Sequence, residues 1–227
     1  MCGRFTRMYT WSEIVALYRL TMPPASNLPP RYNICPTTTI DVIARDDDGK
    51  RVLAPMRWGL VPGWWSKPLK EMRLATFNAR TETVAGKPMF REAFKRRRCL
   101  IPASGYYEWR TENGGKQPYY FTRRDGAIVT IAGLHEEWTD KESGETLRSC
   151  TMVVGAPNAF VAPFHDRMPV ILEARDFEQW ERGAVNEAAA LMRPAGDDVL
   201  QARPVSRRVN SSRADDGDAS LIERDAA

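Results

Sequence analysis

The feature that most limits the fold is a series of short apolar and aromatic segments in the middle of the chain. They begin at Cys99 and read CLIPA, GYYEWR, PYYFTR, AIVTIAGL and CTMVVGA. Turn sequences such as ENGGK and RRDG separate them. Segments of this length that are rich in Val, Ile, Tyr and Phe and bounded by glycine are typical of β-strands. The sequence therefore predicts a β core.

A β-hairpin precedes this series. The segments TTIDVIAR and RVLAPMRW flank the sequence DDDGK, in which Asp48-Gly49 is a strong signal for a tight turn. Two strands joined by so short a turn pair antiparallel, so we expect a mainly antiparallel sheet.

Four segments have helical patterns and lie outside the predicted strands. TWSEIVALYRL begins with a capping box formed by Thr10 and Glu13. PMFREAFKRRR places Phe90 and Phe94 on one stripe, ARDFEQWERG stops at Gly183, and NEAAALM follows it. The expected fold class is α+β: a single domain with a mainly antiparallel, barrel- or sandwich-like β core and short peripheral helices.

The length and charge pattern indicate one domain with an acidic end. The chain has 227 residues, which suits a single domain, here expected over residues 2–212. The net charge is +4, but residues 213–227 contain five acidic and two basic residues and carry −3, which leaves +7 on the rest. We expect this acidic tail to be disordered. Arginine provides 26 of the 33 basic residues, and its planar guanidinium suits phosphate and flat rings.

Composition argues against several classes of protein. The chain has four widely spaced cysteines, two histidines and no CxxC pair, so neither a metal site nor another cofactor is expected. It has no apolar run of about 18 residues and no signal-peptide core, so no membrane association is expected. A cytoplasmic location and a monomeric state are the simplest expectations. The protein partners are unknown.

Four polar residues interrupt apolar or aromatic stretches and are candidates for chemistry. They are Cys2 in MCGRFT, Asn78 in TFNAR, Glu108 in SGYYEWR and His165 in PFHDRMPVIL. Each has a simpler explanation when taken alone. Cys2 is explained equally well as an incidental cysteine, and Asn78 is equally typical of a turn. Glu108 alternates with aromatic residues as a water-facing side chain does, and His165 suits a loop.

Two adjacent tryptophans form a further candidate. Trp64 and Trp65 lie among Pro62, Gly63 and Pro68, which predicts a loop. Two neighbouring indoles in a loop are difficult to bury together. A surface that stacks on nucleic-acid bases, or wedges between them, is therefore an alternative to a core role.

Six sequence blocks together resemble a known family. The blocks are MCGRF, RYNICPTT, WGLVPGWW, NARTET with MFREAF, RCLIPASGYYEW and HDRMPVIL. They occur in the order found in the SRAP family (SOS-response-associated peptidase) and extend from residue 1 to about residue 210. The later segment ARPVSRRVN is similar to the closing strand of that family.

The resemblance implies a function in DNA damage. Proteins of this family bind single-stranded DNA and form covalent cross-links with abasic sites through an N-terminal cysteine that is exposed when methionine is removed. The positions that match the active residues of the family are Cys2, Asn78, Glu108 and His165.

The neighbouring residues suggest how the DNA is held. Arg4, Arg80 and Arg167 each lie beside one of the four candidate positions and are expected to bind phosphates near the lesion, with Asn33 lining the path. Trp64 and Trp65 are expected to contact the adjacent bases.

A cysteine in second position has a chemical advantage if Met1 is removed. Cys2 then carries a free amine and a thiol on adjacent carbons. The amine can attack C1′ of the open-chain aldehyde of an abasic sugar, and the thiol can add to the same carbon to give a five-membered thiazolidine. Glu108 is expected to transfer protons, His165 to protonate the sugar ring oxygen as it opens, and Asn78 to hold the sugar or the amine.

Three other functions remain open from the sequence. A thiol peptidase, including one that removes its own Met1, would also use cysteine with histidine. A non-catalytic module that binds single-stranded DNA would retain the arginines and tryptophans without needing Cys2. An N-terminal-nucleophile amidohydrolase would need a larger layered fold.

Overall fold

The computed structural model describes residues 2–21, 28–112 and 114–224. This part of the chain contains twelve strands and four α-helices. The strands are β1 (Phe5–Arg7), β2 (Arg31–Ile34), β3 (Thr39–Arg45), β4 (Arg51–Trp58), β5 (Asn78–Arg80), β6 (Arg98–Ala103), β7 (Gly105–Glu112), β8 (Gly115–Arg123), β9 (Val129–Thr139), β10 (Thr146–Gly155), β11 (Met168–Pro169) and β12 (Leu200–Pro204). The helices are α1 (Trp11–Tyr18), α2 (Arg91–Arg96), α3 (Phe177–Arg182) and α4 (Val185–Ala190).

The strands form two sheets. The first has the order β12-β8-β7-β1-β2. In the second, β10-β4-β3-β6-β9 forms a ring that closes because β9 also pairs with β10, while β11 and β5 attach to β10. The α+β class with a barrel-like core and few short helices is therefore confirmed. The pairing is antiparallel except where β10 runs parallel to β4 and to β5.

The local signals at two elements are confirmed. The β3–β4 hairpin turns at Gly49, which has a φ of 77° that suits glycine. At α1, the Thr10 side chain accepts from the Glu13 backbone amide, and the Glu13 carboxylate accepts from the Thr10 amide at 2.6 Å. The prediction for α2 was too long, because Arg98 leaves the helix to begin β6 and its guanidinium donates to the Phe94 carbonyl at 2.7 Å.

Apolar side chains fill both the interior of the structure and the interface between the sheets and helices. One large cluster joins α1, α2 and α3 to the second sheet around Trp180. Another fills the space between the sheets around Phe5, Trp58 and Phe121. Because Phe5 of β1 and Tyr106 of β7 belong to this second cluster, close packing holds these two strands in fixed positions.

The expectation of a disordered tail is wrong for residues 213–224; residues 225–227 lie outside the described part. Leu221 is fully buried within a short 3₁₀ helix, Ala219–Ile222. Asp216 forms an ion pair of 2.6 Å with Arg31, and the backbone of Arg224 forms an isolated antiparallel β-bridge with Val205. Composition alone favoured disorder because it does not register the contacts that oppose the entropy of ordering this segment, which are the buried leucine, the ion pair and the backbone pairing.

We expect Leu221→Ala to lower the free energy of unfolding by about 2–5 kcal/mol, because it leaves a cavity under an otherwise polar segment. Urea denaturation followed by tryptophan fluorescence measures this change. Leu74, which is exposed, provides the control: Leu74→Ala should change stability little. Equal small effects at both positions would contradict the packing described here.

Within the described residues, no helix has the length and apolar character needed to span a lipid bilayer.

Candidate active site

Cys2 lies immediately before β1, the strand between β7 and β2 in the first sheet. The residue is only 2 % exposed, and its thiol lies beside the Glu108 carboxylate and interacts with it. Burial raises the pKa of the thiol well above its ordinary value, and the nearby negative charge of Glu108 raises it further. At neutral pH the resting thiol is therefore protonated and needs a base before it can act as a nucleophile.

Glu108 is positioned by β7, which lies beside β1. The Tyr107 backbone amide donates to the Arg4 carbonyl at 3.0 Å, which brings the chain next to Cys2 alongside Glu108. The side chain of Glu108 is fully buried, so it does not face water as simple alternation would suggest. Burial raises the pKa of this carboxyl from its ordinary value of 4.5 to about 7. A carboxyl with such a pKa can accept and return a proton near neutral pH.

Asn78 reaches the site because β5 pairs in parallel with the end of β10. Its Nδ2 donates to the Cys2 carbonyl at 3.0 Å and so fixes the backbone that carries the thiol. Its Oδ1 is buried and has no hydrogen-bond partner among the described residues. The side chain is therefore able to accept one further hydrogen bond from a group that enters the site.

His165 lies in the loop before β11, and its Nε2 is 3.8 Å from Glu108 Oε2. Its Nδ1 accepts from the Arg167 backbone amide at 3.0 Å, which places the proton of the neutral ring on Nε2, facing Glu108. Asp166 approaches Nδ1 to 2.9 Å, a contact that favours the charged ring, but this carboxylate is largely exposed and weakly held. Burial lowers the pKa of His165, so the neutral form dominates at pH 7.

The fold thus brings together all four candidate residues from four distant segments. Cys2 contacts Asn78 through its backbone and Glu108 through its thiol, and His165 Nε2 is 3.8 Å from the Glu108 carboxylate. A nucleophile, an acid–base group near neutrality and a neutral imidazole that can donate are therefore available in one place.

The predicted DNA contacts differ in accessibility. The Nη1 atom of Arg4 donates to Asn33 Oδ1 at 2.7 Å and to the Val209 carbonyl at 2.5 Å. Asn33 is only 3 % exposed, and its Nδ2 donates to the Ser211 carbonyl at 3.0 Å. In this structure Asn33 does not line an open path as expected, because both ends of its amide serve to hold Arg4 and the C-terminal segment.

Two other predicted arginines lie on the side of the site formed by β5 and the β11 loop. Arg80 is exposed at the end of β5, two residues from Asn78. Arg167 forms an ion pair with Glu82, so its guanidinium already has a carboxylate partner before DNA binds. The sequence did not indicate this partner, because nothing in the spacing of Glu82 and Arg167 predicts their contact.

We expect Glu82→Gln to tighten the binding of single-stranded DNA by about two- to fivefold, because the carboxylate competes with phosphate for Arg167. Fluorescence anisotropy with an oligonucleotide that carries a tetrahydrofuran abasic analogue, which has no aldehyde, measures binding without chemistry. Glu137→Gln is the matched control, since Glu137 forms an exposed ion pair with Arg148 at the beginning of β10. An equal gain in both variants would indicate a general charge effect instead.

The two tryptophans occupy a loop, as predicted. Trp64 is 56 % exposed, and its Nε1 donates to the Pro88 carbonyl at 3.3 Å. Trp65 is half-buried, and the two rings lie 6.4 Å apart at 57°. An exposed indole held in one orientation provides a flat apolar surface to a base.

An aromatic and basic wall beside His165 was not predicted from the sequence. The Arg110 guanidinium lies 4.9 Å from the ring centre of Tyr119 and 5.3 Å from that of Phe164, the neighbour of His165. Arg110 is two residues after Glu108 on β7, so strand alternation was the signal that could have indicated a shared face.

Among the described residues, no group of three or more His, Cys, Asp or Glu side chains is arranged to hold a metal ion.

Comparison with known proteins identifies the family. The sequence model described as SOS response associated peptidase (SRAP) matches residues 1–212. This chain belongs to the SRAP family. It is 34% identical over 218 residues to the abasic site processing protein YoaM of Bacillus subtilis, covering 94% of each chain. It is 30% identical over 219 residues to the abasic site processing protein YedK of Escherichia coli, covering 93% of this chain and 95% of that protein.

The fold of this SRAP protein is also similar to a solved structure. A crystal structure of a protein from Bacteroides thetaiotaomicron superposes with a TM-score of 0.89 at 25% identity, covering 99% of this chain and 100% of that one. The two-sheet architecture described above is therefore shared with an experimentally determined relative.

Proposed function

We propose that this protein processes abasic sites in single-stranded DNA by forming a covalent thiazolidine through Cys2 after Met1 is removed. The observation that carries the proposal is the contact between the buried Cys2 thiol and Glu108, whose pKa of about 7 suits proton transfer at neutral pH. Relatives over nearly the whole chain are named abasic site processing proteins, which supports the same substrate class.

The first bond forms between the Cys2 amine and C1′ of the open-chain sugar. Opening of the hemiacetal breaks the bond between C1′ and the ring oxygen; the C1′ hydroxyl proton passes to the Glu108 carboxylate, and the protonated form of His165 donates a proton from Nε2 to the ring oxygen. Glu108, 3.8 Å from that nitrogen, then returns its proton to His165, so both groups are reset. The nitrogen lone pair attacks C1′, and loss of water then gives an iminium. Glu108 accepts a proton from the amine and returns one to the departing hydroxyl.

The second bond, between the Cys2 sulfur and C1′, closes the thiazolidine ring. The thiol proton of Cys2 passes to the Glu108 carboxylate, the sulfur electron pair forms the S–C1′ bond, and the π electrons of the C=N bond return to nitrogen. An iminium left in place would acidify the C2′ protons and promote strand cleavage by β-elimination. Ring closure removes that electron sink, so the cross-link protects the strand.

Asn78 supports both steps without exchanging a proton. Its Nδ2 holds the Cys2 carbonyl, and its free Oδ1 is able to accept from the amine or from a sugar hydroxyl. An amide that is already fixed at one end orients its partner at little entropic cost.

Binding of the strand is assigned to cations and an exposed ring around the site. In this proposal Arg80 and Arg167 bind phosphates near the lesion, and the exposed Trp64 stacks on a neighbouring base. Because an abasic site has no base to read, selection falls on the reactive aldehyde, and binding should weaken steeply with salt.

A gel assay tests the proposal against a binding module. Wild-type protein and single-stranded DNA with one abasic site should give a band that survives denaturation without borohydride, with the strand intact. The tetrahydrofuran analogue should give binding but no such band. Binding to both DNAs without any covalent band would identify a non-catalytic module, and a band that needs borohydride would limit the chemistry to an imine.

A further inference from the structure

Tyr106 contributes an unexplained hydroxyl to the interior beside the site. The residue lies on β7 two positions before Glu108 and is almost fully buried, with its ring stacked on Phe121 at 5.1 Å and 12°. Its hydroxyl has no hydrogen-bond partner among the described residues. A buried hydroxyl without a partner costs folding free energy, and phenylalanine would keep the same stacking without that cost.

The residues around Tyr106 suggest a role for its hydroxyl in the active site. Phe5 lies opposite Tyr106 on β1, so this part of β7 faces the strand that follows Cys2 directly. Burial raises the pKa of the Tyr106 hydroxyl well above its ordinary value, and the thiolate of Cys2 and the carboxylate of Glu108, when they are ionised, raise it further. The phenol therefore keeps its proton and is able to donate a hydrogen bond toward the site.

The Cys2 sulfur becomes charged when the thiol loses its proton. When Glu108 removes the thiol proton, the sulfur of Cys2 becomes negative in a buried setting that otherwise disfavours a thiolate. A preformed donor aimed at developing charge is most effective where water is excluded, and it need not be satisfied in the resting state.

We propose that Tyr106 is a further catalytic residue, whose hydroxyl donates a hydrogen bond to the Cys2 sulfur as its proton moves to Glu108 and the S–C1′ bond forms. Tyr106 retains its own proton throughout. This inference rests on the proposed function of Cys2, but the thiolate it stabilises also forms in the absence of DNA.

Tyr106→Phe tests the proposal through a readout that does not depend on DNA. The rate of Cys2 alkylation by iodoacetamide is followed against pH by mass spectrometry of the N-terminal peptide, which separates Cys2 from the other thiols. The pH at half-maximal rate should rise by about one unit in the variant. Cross-linking to abasic DNA at pH 7 should slow by about tenfold, while affinity for the tetrahydrofuran analogue is unchanged.

A matched variant separates this role from a structural one. The Tyr107 hydroxyl donates to the Tyr32 carbonyl at 2.6 Å, so Tyr107→Phe should lower the midpoint of urea denaturation and leave Cys2 alkylation unchanged. Tyr106→Phe should leave that midpoint unchanged or raise it, because it removes an unsatisfied group.

The outcomes distinguish the two proposals. If wild-type protein forms no cross-link, the proposed function fails, yet the alkylation profiles still test Tyr106. An unchanged alkylation profile in Tyr106→Phe would overturn the role of Tyr106 even if cross-linking by the wild type is normal. A loss of stability equal to that of Tyr107→Phe would also overturn it, since the hydroxyl would then have a structural partner.

Discussion

Cys2→Ser is expected to eliminate the stable DNA adduct while leaving the first chemical step intact. Serine keeps the α-amine and its small size keeps Met1 removable, so an imine with the abasic aldehyde still forms. The hydroxyl is a much weaker nucleophile than a thiol and does not seal the ring. We therefore expect at least about a hundredfold less borohydride-independent adduct, together with increased strand cleavage.

The measurement is a denaturing gel that resolves adduct, intact strand and cleaved strand, run with and without borohydride. Cys35→Ser is the control, because Cys35 is a half-buried thiol that hydrogen-bonds to the Asn33 carbonyl outside the four-residue site. It should cross-link like the wild type. Stable adduct at wild-type levels from the Cys2→Ser protein would refute a ring closed by sulfur.

Glu108→Gln has the second large expected effect. Loss of the proton acceptor should slow cross-linking by about 10²–10⁴-fold. In the wild type, the rate should rise with pH through about 7, as the carboxyl ionises, and this rise should be absent from the variant. Single-turnover rates between pH 5 and 9 measure both effects.

The free energy of unfolding of the wild type should fall as pH rises through the same range in which the cross-linking rate increases. The folded-state pKa of Glu108 lies above its unfolded value, so the folded protein binds the proton more tightly. Stability is then greatest below about pH 4.5 and is lost as pH rises to about 7, by about 3 kcal/mol. Glutamine stays neutral, so the variant should gain stability relative to the wild type over this interval.

Glu112→Gln is the control for this comparison, because Glu112 lies on the same strand but is partly exposed and paired with Arg110. It should retain the wild-type rate and pH profile. Cross-linking by the Glu108→Gln protein at the normal rate would remove the acid–base role assigned to Glu108.

The parts of the fold that follow from local sequence were predictable. A turn glycine with positive φ, a capping box and runs of β-branched residues each act over a few residues, so the β3–β4 hairpin, α1 and the central strands could be read directly. The parallel pairing of β5 with β10 could not, because β5 has only three residues and its partner is about 75 residues away. That pairing is what brings Asn78 to Cys2.

The sequence pattern also gave the wrong prediction for the burial of two side chains, Glu108 and Leu221. Glu108 alternates with Tyr107 and Trp109, which suggests one wet face, but β7 has a strand on each side and both of its faces are covered near Cys2. The C-terminal segment that covers one face reaches Arg4 through the Val209 carbonyl. The acidic composition of residues 213–227 predicted disorder because composition does not register one buried side chain such as Leu221.

The candidate site was found through a resemblance in sequence blocks, and the geometry adds what those blocks lack. They do not indicate that Glu82 pairs with Arg167 or that Tyr106 carries an unsatisfied hydroxyl. Each of these properties depends on residues that are distant in sequence and adjacent only in the folded chain.

The most direct test of a thiazolidine is to count the free thiols in the adduct by intact mass spectrometry. Wild-type protein is coupled to single-stranded DNA that contains one abasic site, denatured without reduction and alkylated. The chain has four cysteines. Our account predicts an adduct with the mass of the Met1-free protein plus the unbroken DNA strand minus one water, which takes up three alkyl groups because the fourth sulfur is bonded to the sugar. An adduct that takes up four alkyl groups, or one that retains Met1, would contradict it.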